Sequence, residues 1–240
     1  MTFIDTIAKR LLHKATLTAK RQIADHTFHL TIQGDDLANL NYIPGEHLRI
    51  LVGADKSTSM QDKVRTYSVW QYTPDRATID LAVCTHATGI GSSWVQTVNP
   101  GETVYFSGPK GKFTVDDSGD YYLFVGDPSA LAHLYEIRRN LTGDKKVFGL
   151  IYADRITDFF ADLDGGTPFQ FQVLPRNPGE TVIEQLHSLI RQSQGKGTLY
   201  VGGDSRLCVT LSHYFRYSLN WSGRQIKTKP FWNPLKTGLE

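Results

Sequence analysis

The polar run Asp116-Asp117-Ser118-Gly119-Asp120 separates two stretches with different periodicities, and this change constrains the fold more than any other feature of the chain. Before it, runs rich in β-formers cover residues 14–23, 27–32, 47–52, 64–70, 78–85 and 103–107, with turns at Gly34-Asp35, Pro44-Gly45, Pro74-Asp75 and Pro100-Gly101. Evenly spaced strands of this kind predict an antiparallel barrel. One helical interruption is expected at Ser92 to Val98, capped by serine. After the run, strands at 121–125, 146–152, 169–174 and 197–202 alternate with helices at 130–141, 157–160, 181–191 and 205–217. That alternation predicts a parallel sheet with helices on both faces, and ligands at the carboxyl ends of its strands, near Gly126, Ala153 and Gly202. The expected fold is β + α/β: an antiparallel β-barrel over 1–117, then a parallel-sheet α/β nucleotide-binding-like domain over 118–240 that ends in a basic and aromatic tail.

A length of 240 residues gives either part room for a core. With 26 basic against 24 acidic side chains, no global basic field points to nucleic acid. The two cysteines, Cys84 and Cys208, have no zinc or iron–sulfur spacing, so no metal site is expected and electron chemistry would need an organic cofactor or a bound substrate metal. With no disulfide framework, a cytoplasmic location is expected. Ile4, Ile7, Leu11 and Leu12 space like a short amphipathic surface helix rather than a signal peptide, and no stretch is long enough to span a membrane. Residues 53–62 form a polar connector with no assigned chemistry.

Val64-Arg65-Thr66-Tyr67-Ser68-Val69 carries an arginine, a tyrosine and a serine where a plain barrel strand would carry aliphatic side chains. A guanidinium offers a fork of donors to phosphate or carboxylate, and a tyrosine two positions on points to the same strand face. Alone, this could be an edge strand with an exposed arginine. Downstream lie His86 and Gly89-Ile90-Gly91-Ser92-Ser93-Trp94, a small-residue loop whose backbone can approach a ligand closely and whose helix start suits a second phosphate.

This set resembles the flavin domain of the ferredoxin reductase superfamily, whose Arg-x-Tyr-Ser/Thr signature holds FAD. More closely it resembles the siderophore-interacting proteins, which are FAD-dependent ferric-siderophore reductases. The matching positions are Arg65 to Ser68, Asp80, His86, Gly89 to Ser92 and Trp94, and the barrel-then-α/β layout extends the resemblance over nearly the whole chain. It implies FAD held by Arg65, Thr66, Tyr67, Ser68, Asp80, Val83, Thr85, His86, Gly91, Ser92 and Trp94. Arg65 would neutralise a phosphate, Tyr67 would pack against the flavin, and His86 would touch the flavin rather than act as an acid or base. No catalytic residue beyond the flavin is implied.

Gly126-Asp127-Pro128-Ser129-Ala130-Leu131 resembles that family's Gly-Asp-Glu-Thr-Ala-Leu. Asp127, Arg155, Arg176, Gly203 and Asp204 are candidates for an NAD(P)H or other donor site, with solvated surface arginines and a plain strand-to-helix turn as the alternatives. Asp127 would cap the helix that follows, yet its charge opposes a pyrophosphate, and Pro128 removes an N–H. The tail resembles the family's closing Tyr-Trp-Arg-x-Gly segment, with Phe231 in the Tyr place and Asn233 where Arg is expected; Phe231 and Trp232, with Lys227, Lys229 and Lys236 nearby to attract an anionic chelate or an acidic protein donor, are candidates for a substrate pocket, with solvated lysines as the alternative. Trp70, Ile90 and Asn233 depart from the family pattern.

The implied activity is FAD-dependent reduction of a ferric siderophore to release Fe(II) for iron acquisition. NAD(P)H or reduced ferredoxin would be the electron donor, and the protein is expected to act as a monomer. A generic NAD(P)H-dependent flavin or ferredoxin-type reductase, or a non-catalytic siderophore- or partner-binding relative, are the alternatives.

Overall fold

The computed structural model describes residues 12–53, 63–85 and 89–235; the expected amino-terminal helix, most of the polar connector, His86 and Lys236 lie outside this range. Two compact units divide between Lys112 and Phe113.

In the first unit, alternation buries every second side chain. Leu30 and Ile32 of one strand and Ile79, Leu81 and Val83 of its neighbour point inward, while Thr31, Asp80 and Ala82 point out. Among the described residues, six strands form a closed antiparallel barrel in the order β1-β2-β5-β4-β3-β6: β1 (His13–Ala24), β2 (Thr27–Gln33), β3 (His47–Leu51), β4 (Val64–Thr73), β5 (Thr78–Cys84) and β6 (Thr103–Lys110). Closure removes the edges an open sheet would expose. Leu30, Ile32, Leu48, Ile50, Val69, Leu81 and Phe106 are fully buried inside, each worth about 1.5–3 kcal/mol of apolar burial. The helix α1 (Ile90–Thr97) adds Val95 to this core.

The second unit is a parallel sheet in the order β11-β10-β7-β8-β9: β7 (Tyr121–Gly126), β8 (Lys146–Ala153), β9 (Gln170–Val173), β10 (Gly197–Asp204) and β11 (Ile226–Trp232). On one face, Phe124 and Phe169 stack, and Phe169 stacks in turn on Tyr135 of α2 (Pro128–Arg139). On the other, Leu123, Val125, Leu199 and Val201 meet Val182 and Leu186 of α3 (Gly179–Arg191) and Leu207 and Leu211 of α4 (Ser205–His213). The chain runs β7 to β9 in one direction and then returns to β10 and β11 on the far side of β7, so the order reverses between β7 and β10.

Two details differ from the sequence reading. The tail after Arg224 contains β11, an edge strand. Its Lys-Thr-Lys-Pro stretch carries no hydrophobic run because charge and proline are what an edge strand tolerates and needs. The units also divide earlier than the Asp116 to Asp120 run. Phe113 is buried against His133 and Tyr200, its carbonyl accepts from His133 Nε2 at 2.8 Å, and Thr114 O accepts from Tyr200 Oη at 3.0 Å.

Asp116 then pairs with Lys227 Nζ at 2.7 Å. Burial pushes its carboxyl up, but the Lys227 ammonium and the bonds from Ser118 outweigh this and hold it at about 2, below the ordinary 3.8. A carboxyl lowered on folding stabilises above its unfolded value, and that stability is lost as pH falls through about 4 towards 2. Asp116→Asn is therefore expected to lower the unfolding free energy at pH 7 by about 1–2 kcal/mol and to converge with the native protein near pH 2. Urea unfolding followed by circular dichroism at both pH values checks this; a gap that does not change with pH would show that the charge is not its source.

Candidate functional site

Residues that face each other across paired strands share a side of the sheet. Arg65 and Tyr67 of β4 face Ile50 and Leu48 of β3, whereas Thr66 and Ser68 face Arg49 and His47. The motif thus presents Arg65 with Tyr67 on one side and two hydroxyls on the other. Arg65 Nη1 donates to Val64 O at 2.6 Å, and the Tyr67 ring stacks on Trp94 of α1 with centroids 5.7 Å apart.

The start of α1 meets this pair directly. A Cβ at Gly91 would lie 2.7 Å from Tyr67 Oη and 3.3 Å from Arg65 Cγ, so only glycine lets the first turn approach so closely. The helix begins at Ile90 with extended Gly89 before it, and Ser93 N donates to Gly89 O at 2.9 Å. It does not begin at a serine cap: Ile90 fits over Gly53, where a Cβ would meet Ile90 Cδ1 at 2.1 Å, and this seats the helix two positions early, with Ser92 inside the first turn. Its N-cap, Gly89, has no side chain with which to cap the first turn. Arg65, Tyr67, Gly91, Ser92 and Trp94 therefore form one group of donors and a ring face, able to take an anion and a planar group.

Other expected barrel residues are placed differently. The Asp80 carboxylate is engaged by β2, close to His29 Nε2 and accepting from Thr31 Oγ1, both at 2.7 Å. Val83 buries its side chain in the core, which leaves only its main chain for a ligand. Thr85 donates from N and Oγ1 to His26 O. Trp70, at a β-bulge between Val69 and Gln71, turns its ring edgewise on His29 and is only 2% exposed.

In the second unit, Asp127, Gly203, Asp204 and Trp232 converge at the carboxyl ends of β7, β10 and β11. Asp127 caps α2: Oδ1 accepts from Ser129 N at 2.9 Å and from Ser129 Oγ, while Oδ2 accepts from Asp204 N and Trp232 Nε1, both at 2.8 Å. Asp204 caps α4 and pairs with Arg206 at 2.6 Å. Phe231 lies over Gly202 and packs edgewise on His133. The expected donor and substrate groups thus share one cluster. Arg155 and Arg176 remain at the surface, paired with Asp158 at 3.4 Å and Asp154 at 2.7 Å. Lys227 is held by Asp116 five residues before Trp232, roughly 16 Å along an extended strand, so it does not join Phe231 and Trp232 in one pocket.

Ser129, Tyr152, Arg206 and Cys208 were not legible as members of this cluster. Tyr152 is 4% exposed, and its Oη has no hydrogen-bond partner among the described residues. Burial, then the Asp127 and Asp204 carboxylates, push the Tyr152 phenol up and the Cys208 thiol up to about 12, so neither ionises near neutral pH. The sequence signal for Ser129 was its place two residues after a helix-capping aspartate; Tyr152 gave none, since it reads as one more aromatic in a buried strand.

Residues 14–115 match the oxidoreductase FAD-binding domain family, and residues 119–234 match the siderophore-interacting protein family. The ferric vibriobactin reductase ViuB of Vibrio cholerae is 21% identical, with 95% of this chain and 91% of that protein aligned. The NADPH-dependent ferric-chelate reductase of Escherichia coli is 23% identical over 68% of this chain and 65% of its own. The crystal structure of the siderophore-interacting protein SipS from Aeromonas hydrophila superposes with a TM-score of 0.77 at 18% identity, covering 94% of this chain and 92% of that one; at such identity the likeness concerns the fold.

The close approach at Gly91 can be tested without any ligand. Helix propensity alone favours alanine over glycine by up to about 1 kcal/mol. Contact with Tyr67 Oη predicts the opposite sign, so Gly91→Ala is expected to destabilise by about 1–3 kcal/mol and to shift tryptophan emission as Trp94 moves. A variant as stable as or more stable than the native protein in urea would rule out the contact.

Proposed function

We propose that this chain, which matches the siderophore-interacting protein family over residues 119–234 and the oxidoreductase FAD-binding domain over residues 14–115, is a cytoplasmic flavoprotein that reduces chelated Fe(III) to Fe(II). The observation that carries the reading is the meeting of Arg65, Tyr67 and Trp94 with the first turn of α1 through Gly91.

These residues fit FAD. Arg65 and the first-turn amides of α1 would hold its two phosphates: the guanidinium supplies charge and a fork of donors, and the helix start supplies N–H groups and partial positive charge. Tyr67 and Trp94 would flank its planar parts, and Thr66 and Ser68, on the other side of β4, would bond to its polar edges. Asp80, already held by His29 and Thr31, would position β5 rather than contact the cofactor through its carboxylate. When bound, FAD would supply the single electrons that a chelated ferric ion accepts.

The substrate follows from the chemistry of iron release. The hard oxygen donors of a siderophore favour the more highly charged ion, so adding one electron to Fe(III) loosens the chelate and frees Fe(II). The names of the Vibrio cholerae and Escherichia coli relatives support ferric chelates as the substrate class. The electron comes from NAD(P)H or a reduced ferredoxin.

The visible spectrum of the purified protein, with and without added FAD, tests the cofactor. A flavin spectrum near stoichiometric occupancy is expected, followed by Fe(II) release from a ferric siderophore, read with a colorimetric Fe(II) chelator. Arg65→Ala is expected to weaken FAD retention by roughly tenfold or more, the usual loss for a charge-assisted hydrogen bond. Full occupancy in that variant would remove Arg65 from the site, and a protein that takes up no flavin would end the reductase reading.

A further inference from the structure

We propose that Lys20 is a positioning residue for the cofactor site: its ammonium fastens the carboxyl end of α1 to β1 and so fixes where the start of that helix meets Arg65 and Tyr67. The proposal rests on the FAD reading of that site.

β1 carries a bulge between Leu17 and Ala19, after which Ala19 faces Thr31 and Lys20 faces Leu30. Before the bulge Leu17 faces Ile32. Leu30 and Ile32 fill the barrel core, so the extra residue turns Lys20 to the inner side of the sheet, where plain alternation from Leu17 would have placed residue 19. A half-buried ammonium on that side has lost part of its water and needs acceptors. Lys20 Nζ donates to Gln96 O and to Val98 O, both at 2.9 Å, and lies 5.5 Å from the centre of the Phe28 ring.

Those carbonyls close α1. The last carbonyls of a helix have no partner within it and carry its partial negative charge, so a lysine there satisfies both. Neighbouring acceptors are met locally: Thr97 Oγ1 donates to Ser93 O at 2.9 Å, Val98 N to Trp94 O at 2.8 Å and Asn99 Nδ2 to Thr97 O at 3.0 Å. Lys20 instead ties the helix to a strand 76 and 78 positions away. A helix of eight residues does not hold its own conformation, so its direction is set by what grips it. Val95 and Val98 are buried in the barrel core, Ile90 and Gly91 seat the start, and Lys20 holds the end. Gly91 and Thr97 are roughly 9 Å apart along the axis, so Lys20 acts on the cofactor groups through the helix. A released carboxyl end lets α1 pivot on Val95, which moves Gly91 and Trp94 off Tyr67.

The test compares full-length native protein, Lys20→Met and Lys20→Arg. Methionine keeps the stem and removes charge and donors, whereas arginine keeps both. FAD affinity is read by fluorescence titration, and amide hydrogen exchange is read by mass spectrometry without flavin. Lys20→Met is expected to bind FAD roughly threefold to tenfold more weakly, and Lys20→Arg to recover most of that loss. Exchange over residues 90–98 should quicken in Lys20→Met while β2 and β5 keep native rates. Native FAD affinity in Lys20→Met, an equal loss in Lys20→Arg, or exchange that quickens throughout the barrel overturns the proposal. Should Lys20→Met not fold, Lys20→Gln, which also lacks the charge, takes its place with the same expectations. A native chain that takes up no FAD defeats the flavoprotein reading, yet the exchange comparison still judges Lys20: quickening confined to 90–98 sustains the clamp, and unchanged rates there end it.

Discussion

The second unit closes on one buried carboxylate. A helix begins with amide donors that its own carbonyls cannot reach, and a parallel sheet brings several chain ends to the same edge. Asp127 satisfies three of these obligations together. It caps α2, accepts the backbone of β10 at Asp204 and holds the indole at the end of β11. Gly203 and Gly126 are the corresponding constraint on the backbone, since the carboxylate and the paired strand ends leave no space for side chains at those positions.

The first unit treats a helix start in the opposite way. At α1 the N-cap is Gly89, which has no capping side chain, and Gly91 brings the first turn against Arg65 and Tyr67. The helix start thus meets a glycine N-cap in one unit and a capping carboxylate in the other.

Much of this was legible beforehand, and the exceptions share a cause. Alternating Leu30, Ile32, Ile79 and Leu81 announced barrel strands because period two is a local property. The buried runs of β7, β8 and β10 announced a parallel sheet for the same reason. β11 was missed because an edge strand is written in lysine and proline. The start of α1 was misplaced because Ile90 is seated by Gly53, which lies far from it in sequence. Lys227 looked like an open cation until Asp116 took it, and Arg176 until Asp154 did.

The sequence alone determined the two-part layout, the strand and helix pattern within each part, and the motif residues Arg65, Tyr67 and Gly91, because each of these is set by neighbours a few positions away. Only the tertiary structure decided which donors stay available and which are consumed. Asp127 meets Trp232 across 105 positions and Asp204 across 77, and Asp80 meets Thr31 across 49. A hydrogen bond between residues so far apart leaves no periodic trace in the chain; it exists only once packing has brought both partners to the same place.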